Sequence, residues 1–376
     1  MLACLQRKGP LTEGKVHASV CRVQVPEPGG QGVSPAGSRG QRAGGWDSVL
    51  GSAAETGAAG YRPLLFSIAY GMTGSVGDAE DIVQDAFLGM TRARQAGTVI
   101  ADPKAYLTTA VTRLGINYLR SARVLRETYV GDWLPEPVVM PADGPGPAEH
   151  AELADSLSMA FLVLLEALAP VERAVFMLRE VFGYGYADVA RVTGKTEVNC
   201  RKIFARARQR IAAGGQARDI VPVPARREEG EELARRFFEA AAGGDMDALL
   251  AMLAPDVVLH DDGGGKALAI GRPLAGRESV VRLLAGLIHR GRIPDTSLRL
   301  AWVNGRPGAV VYDTGGRVAG VIGLDFADGV VQTIRAVVNP DKLRHVGPVS
   351  DLLRRTWKSA PGDRQPGSQT DTDAGR

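Results

Sequence analysis

Few side-chain groups in this 376-residue chain could form a catalytic centre. His260, Asp261 and Asp262 end an apolar run, and Gly263-Gly264-Gly265-Lys266 follows at once. A carboxylate beside an imidazole can work as a general acid or base if burial brings its pKa near the working pH. Here the aspartates lead into a polar, glycine-rich loop, which predicts a mobile solvated segment rather than a dry pocket. The three glycines match neither a phosphate-binding loop nor a dinucleotide fingerprint. Cys4, Cys21 and Cys200 are too far apart for a disulfide framework or metal cluster, and the five histidines are equally scattered. No catalytic residue, metal ligand or cofactor is expected.

The basic residues offer another chemistry. Lys195 to Arg210 contains six Lys or Arg and one acid, Glu197. A short helix over Tyr186–Val192 and a Thr193-Gly194-Lys195 turn precede it, and Thr196 is a natural N-cap. This is helix-turn-helix spacing. Ile203, Ala207 and Ile211 form the inward stripe; Asn199, Lys202 and Arg206 form an outward row, with Arg201 and Arg208 beside it. The pattern predicts a helix for the DNA major groove, its early residues at base edges and its later arginines at phosphates. Cys200 lies within it as a small packing residue. Arg113, Asn117 and Arg120 recur at i, i+4 and i+7, and Arg123 and Arg126 continue the basic run without an acid. Charge alone leaves open whether that face meets DNA or only solvent.

Several segments must position these groups. The length suits two to three domains of roughly 100–200 residues, and 45% apolar residues suit a globular chain. With 45 basic and 42 acidic residues, net charge excludes little. No apolar run is long enough to span a membrane and no secretory signal is evident, so a cytoplasmic, soluble protein is expected. Residues 1–52 read as a disordered leader, because periodic sequence begins only near Ala53–Tyr61. The stretch 131–150 has five prolines, four acids and no Lys or Arg, which predicts a stiff, anionic linker. A second linker is expected over 214–230, and a mostly disordered tail over 346–376. Three folded blocks remain, 53–130, 151–213 and 231–345. The first two read as all-α. In the first, Ile82, Val83, Ala86, Phe87 and Met90 share one helix face while Asp81, Gln84 and Asp85 share another. In the third, helices precede a meander of strands, which predicts an α+β unit with helices on one curved sheet.

At this point the residues resemble a known family. Tyr61-Arg-Pro-Leu-Leu-Phe66, Asp78-Ala-Glu-Asp-Ile-Val-Gln-Asp-Ala-Phe-Leu88 and Asp102-Pro-Lys-Ala-Tyr-Leu107 resemble region 2 of the sigma-70 family, extracytoplasmic-function (ECF) group. Residues 153–212 resemble region 4, and 231–345 resemble a cone-shaped SnoaL-like domain. Trp133-Leu-Pro-Glu-Pro137, Asp262-Gly-Gly-Gly-Lys266 and Asn339-Pro-Asp-Lys-Leu343 are similar to signatures of ECF factors carrying such a fused domain.

The resemblance implies a bacterial transcription-initiation factor with no catalysis of its own. Asp78, Asp81, Gln84 and Asp85 would bind core RNA polymerase. Arg113, Asn117, Arg120, Arg123 and Arg126 would meet the −10 element. Thr196, Asn199, Arg201, Lys202, Arg206 and Arg208 would serve the −35 element, with Asn199, Arg201 and Lys202 at base edges. The acidic linker would thread the polymerase near its active centre. Trp133, Pro135 and Pro137 would meet Asp262, Gly263, Gly264, Gly265 and Lys266, together with Asn339, Pro340, Asp341, Lys342 and Leu343, in a regulatory contact that replaces a separate anti-sigma protein. Trp133 would be its buried anchor. Two rivals stand beside this reading. One is a ligand-sensing helix-turn-helix regulator without polymerase docking, and the other a SnoaL-like isomerase or cyclase fused to a vestigial DNA-binding part.

Overall fold

A computed structural model of the chain describes residues 22–24, 58–127, 129–141, 157–213, 227–289 and 296–353. In the first helical unit, a 3-10 turn at Ala58–Tyr61 leads into α1 (Arg62–Thr73), with Pro63 in its first turn. Gly74 ends α1 at φ 67°, donating its N–H to the Tyr70 carbonyl at 2.7 Å. This is the left-handed C-cap that glycine adopts without strain. Ser75 caps α2 (Val76–Gln95), whose stripe of Ile82, Val83, Ala86, Phe87 and Met90 is buried. Asp102 caps α3 (Pro103–Glu127) through the Ala105 N–H at 2.9 Å, as its position before Pro103 predicts.

The second unit contains α4 (Met159–Leu165), α5 (Pro170–Phe176), α6 (Tyr186–Thr193) and α7 (Glu197–Ala213). α4 is observed from Met159, residues 151–156 lying outside the described residues. After α5 the chain becomes π-helical at Met177–Val181, where the Phe182 N–H reaches back to the Met177 carbonyl. Gly194, at φ 67°, makes the turn between α6 and α7.

The α+β unit contains α8 (Arg227–Gly243), α9 (Met246–Met252) and α10 (Arg277–His289). Its strands are β3 (Leu253–Asp262), β4 (Leu274–Ala275), β5 (Ser297–Val303), β6 (Arg306–Tyr312), β7 (Val318–Ala327) and β8 (Val330–Val337). β5 to β8 form the expected antiparallel meander. Asn304-Gly305 and Asp328-Gly329 turn two of its hairpins with all four residues at positive φ, the backbone that matches strand twist. β3 then returns beside β8 in parallel. Phe237, Phe238, Leu249, Val280, Leu298, Leu324 and Ile334 fill the space between helices and sheet.

Two strands come from outside this unit. β1 (Arg22–Gln24) belongs to the segment expected to be a disordered leader, yet pairs in parallel with Ser297–Arg299 of β5. β2 (Val139–Pro141) belongs to the linker and pairs antiparallel with Ala301–Val303 on the same edge. The linker is therefore not free along its length: Val139–Pro141 pair with the sheet, Leu134 enters a buried cluster, and 142–150 fall outside the described residues. The linker expected over 214–230 is shorter than that, because α8 begins at Arg227, and the expected tail 346–376 starts ordered, with Val346 and Val349 packed on the core; 214–226 and the residues beyond 353 fall outside the described ones.

The units share cores. Leu65, Phe87 and Leu107 of the first belong to one cluster with Leu165, Val175, Phe176 and Ile203 of the second. Arg173, 2% exposed, ties them: it donates to the Met72 carbonyl of α1 at 2.8 Å, to the Leu165 carbonyl at 3.1 Å and to Glu166 at 2.7 Å. Another cluster joins Leu134 of the linker and Met159 of α4 to Val303, Val318, Val337 and Leu343.

Candidate functional site

β3 delivers Asp262 to the place where the linker crosses the sheet, and the side chain is 0% exposed. Its carboxylate accepts from the Tyr129 hydroxyl at 2.5 Å, from the Leu134 N–H at 2.8 Å and from Lys342 Nζ at 2.7 Å. Lys342 also donates to the Leu134 carbonyl, and its ammonium lies 4.7 Å from the Tyr129 ring centroid and 4.5 Å from that of Trp133. A buried charge is tolerable only when paired and fully hydrogen-bonded. Here the linker backbone supplies both a donor and an acceptor to the pair. Burial, then the Asp262 charge, push the Tyr129 phenol well above its usual range, so it stays a donor.

The glycines between Asp262 and Lys266 are not the mobile solvated loop that composition predicts. At Gly264, φ is +56°, and a Cβ would collide with the Asn339 amide and lie 2.9 Å from the Tyr129 hydroxyl. At Gly263 it would lie 2.7 Å from Ala269, and at Gly265, φ +71°, 3.1 Å from Val130. Absence of side chains lets linker and β3 approach, so a glycine-rich composition marks contact here rather than freedom. Asn339 donates to the Tyr129 hydroxyl at 2.8 Å and its carbonyl accepts the Lys342 N–H. Pro340 opens the 3-10 turn Pro340–Leu343, Asp341 pairs with Lys266 and with Arg344, and Leu343 is buried. The three sequence signatures thus meet in one place.

Trp133 is half-buried, while its neighbour Leu134 is 1% exposed and enters the core. The buried anchor is Leu134; the Trp133 ring is spent on the Lys342 ammonium and on Gly74, where a Cβ would approach it to 2.8 Å. Pro135 and Pro137 are buried, and His345 Nε2 donates to the Pro137 carbonyl at 2.7 Å. Sequence reasoning missed Glu136, whose carboxylate accepts from the Val76 N–H at 2.7 Å and from Ser75 Oγ at 3.1 Å, capping α2. It also missed Asn304. That side chain donates to Tyr70 Oη at 2.8 Å and to the Leu157 carbonyl at 3.1 Å, and accepts from the Val138 N–H at 3.0 Å. The Asn-Gly hairpin signal was available for it, but not its three-way contact.

His260 Nδ1 is 2.6 Å from Asp132 of the linker. Asp261 accepts the Ile270 N–H at 3.1 Å, and burial, against that hydrogen bond, raises its carboxyl to about 6. With Asp262 committed to Lys342, each of the three residues is engaged in a contact within the fold.

On α2, Asp81 and Asp85 are exposed and Gln84 half-buried, whereas Asp78 accepts a 2.7 Å hydrogen bond from Tyr118. On α3, Arg113, Asn117 and Arg120 are exposed, but Arg113 donates to the Val192 carbonyl at 3.2 Å and the Arg191 carbonyl at 3.4 Å, at the C-terminal end of α6. The side chains of Arg123 and Arg126 lie outside the described residues. On α7, Thr196 accepts the Asn199 N–H at 3.2 Å as expected of a cap. Asn199, Arg201, Lys202, Arg206 and Arg208 are exposed, and Cys200 is fully buried.

An acidic helix face, a basic helix-turn-helix and a cone packed over the linker between them define a sigma-70-type initiation factor with a fused α+β domain. Residues 58–124 match Sigma-70 region 2, 158–211 match Sigma-70, region 4, and 234–339 match the SnoaL-like domain. The chain is 40% identical over 288 residues to the ECF RNA polymerase sigma factor SigJ of Mycobacterium tuberculosis, covering 75% of this chain and 90% of that protein. It is 31% identical to the probable ECF RNA polymerase sigma factor SigI of the same organism, covering 75% and 92%. The crystal structure of SigJ aligns with a TM-score of 0.60 and 36% identity over 77% of this chain and 98% of that one. The chain belongs to the ECF family of RNA polymerase sigma factors. This sets aside the reading as a regulator that acts without polymerase. Among the described residues, no helix is long and apolar enough to cross a membrane.

Proposed function

We propose that this sigma factor directs core RNA polymerase to −35/−10 promoters in the cytoplasm, and that its SnoaL-like domain controls in cis how often regions 2 and 4 are free to do so. The observation that supports this most is the buried Asp262–Lys342 pair closed on the backbone of Leu134. It fastens the linker that must otherwise run between the two DNA-reading units. Arg113, assigned to the −10 element, is meanwhile spent on the end of α6. A pose that must open before docking lowers the competent fraction, and apparent polymerase affinity falls by that factor.

Asp81, Gln84 and Asp85 would form the docking face for the polymerase, with Asp78 bracing it through Tyr118. Arg113, Asn117, Arg120, Arg123 and Arg126 would serve strand opening at −10, where a basic surface holds unstacked bases. Thr196, Asn199, Arg201, Lys202, Arg206 and Arg208 would serve the −35 duplex. Trp133, Pro135, Pro137, Asp262–Lys266 and Asn339–Leu343 would be the regulatory contact, with no separate anti-sigma protein, cofactor or catalytic step required.

Run-off transcription with bacterial core polymerase, on a promoter selected from random −35/−10 libraries, tests this. The full chain and its Lys342→Met variant are compared. More promoter-specific transcript from the variant is the expected result; equal or less transcript overturns the closed-pose reading.

A further inference from the structure

Along α7, Cys200, Ile203, Ala207 and Ile211 are buried. Val198, Lys202, Ala205 and Gln209, spaced i, i+4, i+7 and i+11, run along the opposite side, and all four are exposed. This row, rather than Asn199–Lys202–Arg206, is the crest of the helix that points farthest from the protein. Its first member stands out. Val198 is 61% exposed, a β-branched residue in the first turn of a helix whose flanks are basic. Folding gains little from it: it packs on nothing in the core, and valine is a poorer helix former than alanine or lysine.

Its neighbours narrow what it faces. Arg201 pairs with Glu197 at 3.1 Å and lies 5.0 Å from the Tyr186 ring centroid, which draws it to the flank of the helix. Arg206 and Arg208 stand on the two sides of the crest further along. Ala205, next but one turn from Val198 on the crest, presents no bulk to hold the helix away from a groove. The arrangement is an apolar tip at the N-terminal end of a groove-binding helix, flanked by cations suited to phosphates. The one apolar group displayed on the major-groove edge of B-DNA is the C5 methyl of thymine.

We propose that Val198 reads the C5 methyl of a thymine in the −35 element, with Asn199 and Lys202 beside it at base edges and Arg201 on the backbone. The inference rests on α7 being the −35 helix. The test uses the full chain with bacterial core polymerase on its selected promoter, and replaces each thymine of the −35 element, on either strand, by deoxyuridine. That change removes a methyl and leaves every hydrogen-bonding group. One such replacement is expected to weaken promoter binding by wild-type protein about fourfold, the value of one buried methyl-sized group, and to leave Val198→Ala unaffected. Val198→Ala itself, on unmodified promoter, is expected to bind about as the wild type does on the deoxyuridine promoter. If wild type discriminates −35 sequences but no deoxyuridine position separates it from Val198→Ala, the inference on Val198 is overturned alone. If wild type is indifferent to −35 sequence, the assignment of α7 falls, and this inference with it.

Discussion

The Asn304 carboxamide donates to the Tyr70 hydroxyl at 2.8 Å, so the tip of a β-hairpin is bonded inside a helix that lies 234 residues earlier. Tyr70 in turn donates to the Glu136 carbonyl at 2.6 Å. Burial pushes this phenol well above its usual range, so it remains a donor. Asn304 sits at φ 51°, which glycine adopts freely. Asn304→Gly therefore removes the side-chain bonds without straining the turn. We expect a loss of about 1–3 kcal/mol per buried group left without a partner, and faster amide exchange at Val138, whose N–H bonds to the side chain. Unchanged exchange there would show that the hairpin does not hold the linker.

Asp262 and Lys342 should behave as a unit. Removing one partner, by Lys342→Met or Asp262→Asn, strips compensation from the other; for a buried pair this costs about 3–5 kcal/mol, because either change leaves the remaining charge without its counter-ion. The double variant should lose less than the sum, because neither charge is then stranded. Chemical denaturation of the four proteins measures the coupling, and additive losses would contradict the contact described.

Gly264→Ala tests the glycine signature without touching either helical unit. The added methyl meets the Asn339 amide and the Tyr129 hydroxyl, and the residue must hold φ +56°. Proteolytic cleavage in 129–138 is expected to accelerate at least tenfold, while the melting of regions 2 and 4 changes little. Equal cleavage rates would mean that Asn339 and Tyr129 can yield without releasing the linker.

Much of this architecture was legible in the sequence, because the groups that position it are local. Asp102 before Pro103, Thr196 before a basic amphipathic run, and Asp245 before Met246 each announce a helix start through a side-chain cap. Asp328-Gly329 announces a hairpin. The site was legible as three signatures expected to meet, but not as a buried charge pair. Asp262 looked solvated because glycines follow it, and only the tertiary approach of Leu134 and Lys342 buries it. The roles of Glu136, Asn304 and Tyr129 have no local signal, because each acts on a partner at least 60 residues away; the Asn304-Gly305 pair announces only its own turn. The π-helical turn at Met177 and the parallel pairing of β3 with β8 likewise come from long-range packing.

Asp261 sets a pH dependence. Its carboxyl is raised from 3.8 to about 6, chiefly by burial. The folded state then binds this proton more tightly than the unfolded chain, so stability falls as pH rises from about 4 to about 6 and levels off above. A shift of that size corresponds to at most about 3 kcal/mol. Asp261→Asn keeps the acceptor for the Ile270 N–H and should flatten this slope, raising stability at neutral pH. Thermal unfolding from pH 4 to 8 decides it; parallel profiles for both proteins would assign the slope elsewhere.

Asp81 and Asp85 are exposed on α2 and make no contact that the fold needs. Asp81→Arg combined with Asp85→Arg should leave thermal stability within about 0.5 kcal/mol of the parent, as surface changes do. Affinity for core polymerase should drop at least tenfold, since like charges then meet at the docking face. Fluorescence anisotropy of labelled protein with core polymerase measures this, and unchanged binding would move the docking face elsewhere.

The order of the chain gives the clamp a birth date. The linker meets β5, Asn304 and the Asn339–Leu343 turn, all of which are synthesised after both DNA-reading units. At the usual 5–20 residues per second, roughly ten seconds separate completion of α7 from emergence of Lys342. During that interval the nascent protein has its helices but not its fastening. If the fused domain acts as proposed, each new copy would begin life open, and a ribosome that pauses late in the message would lengthen that interval.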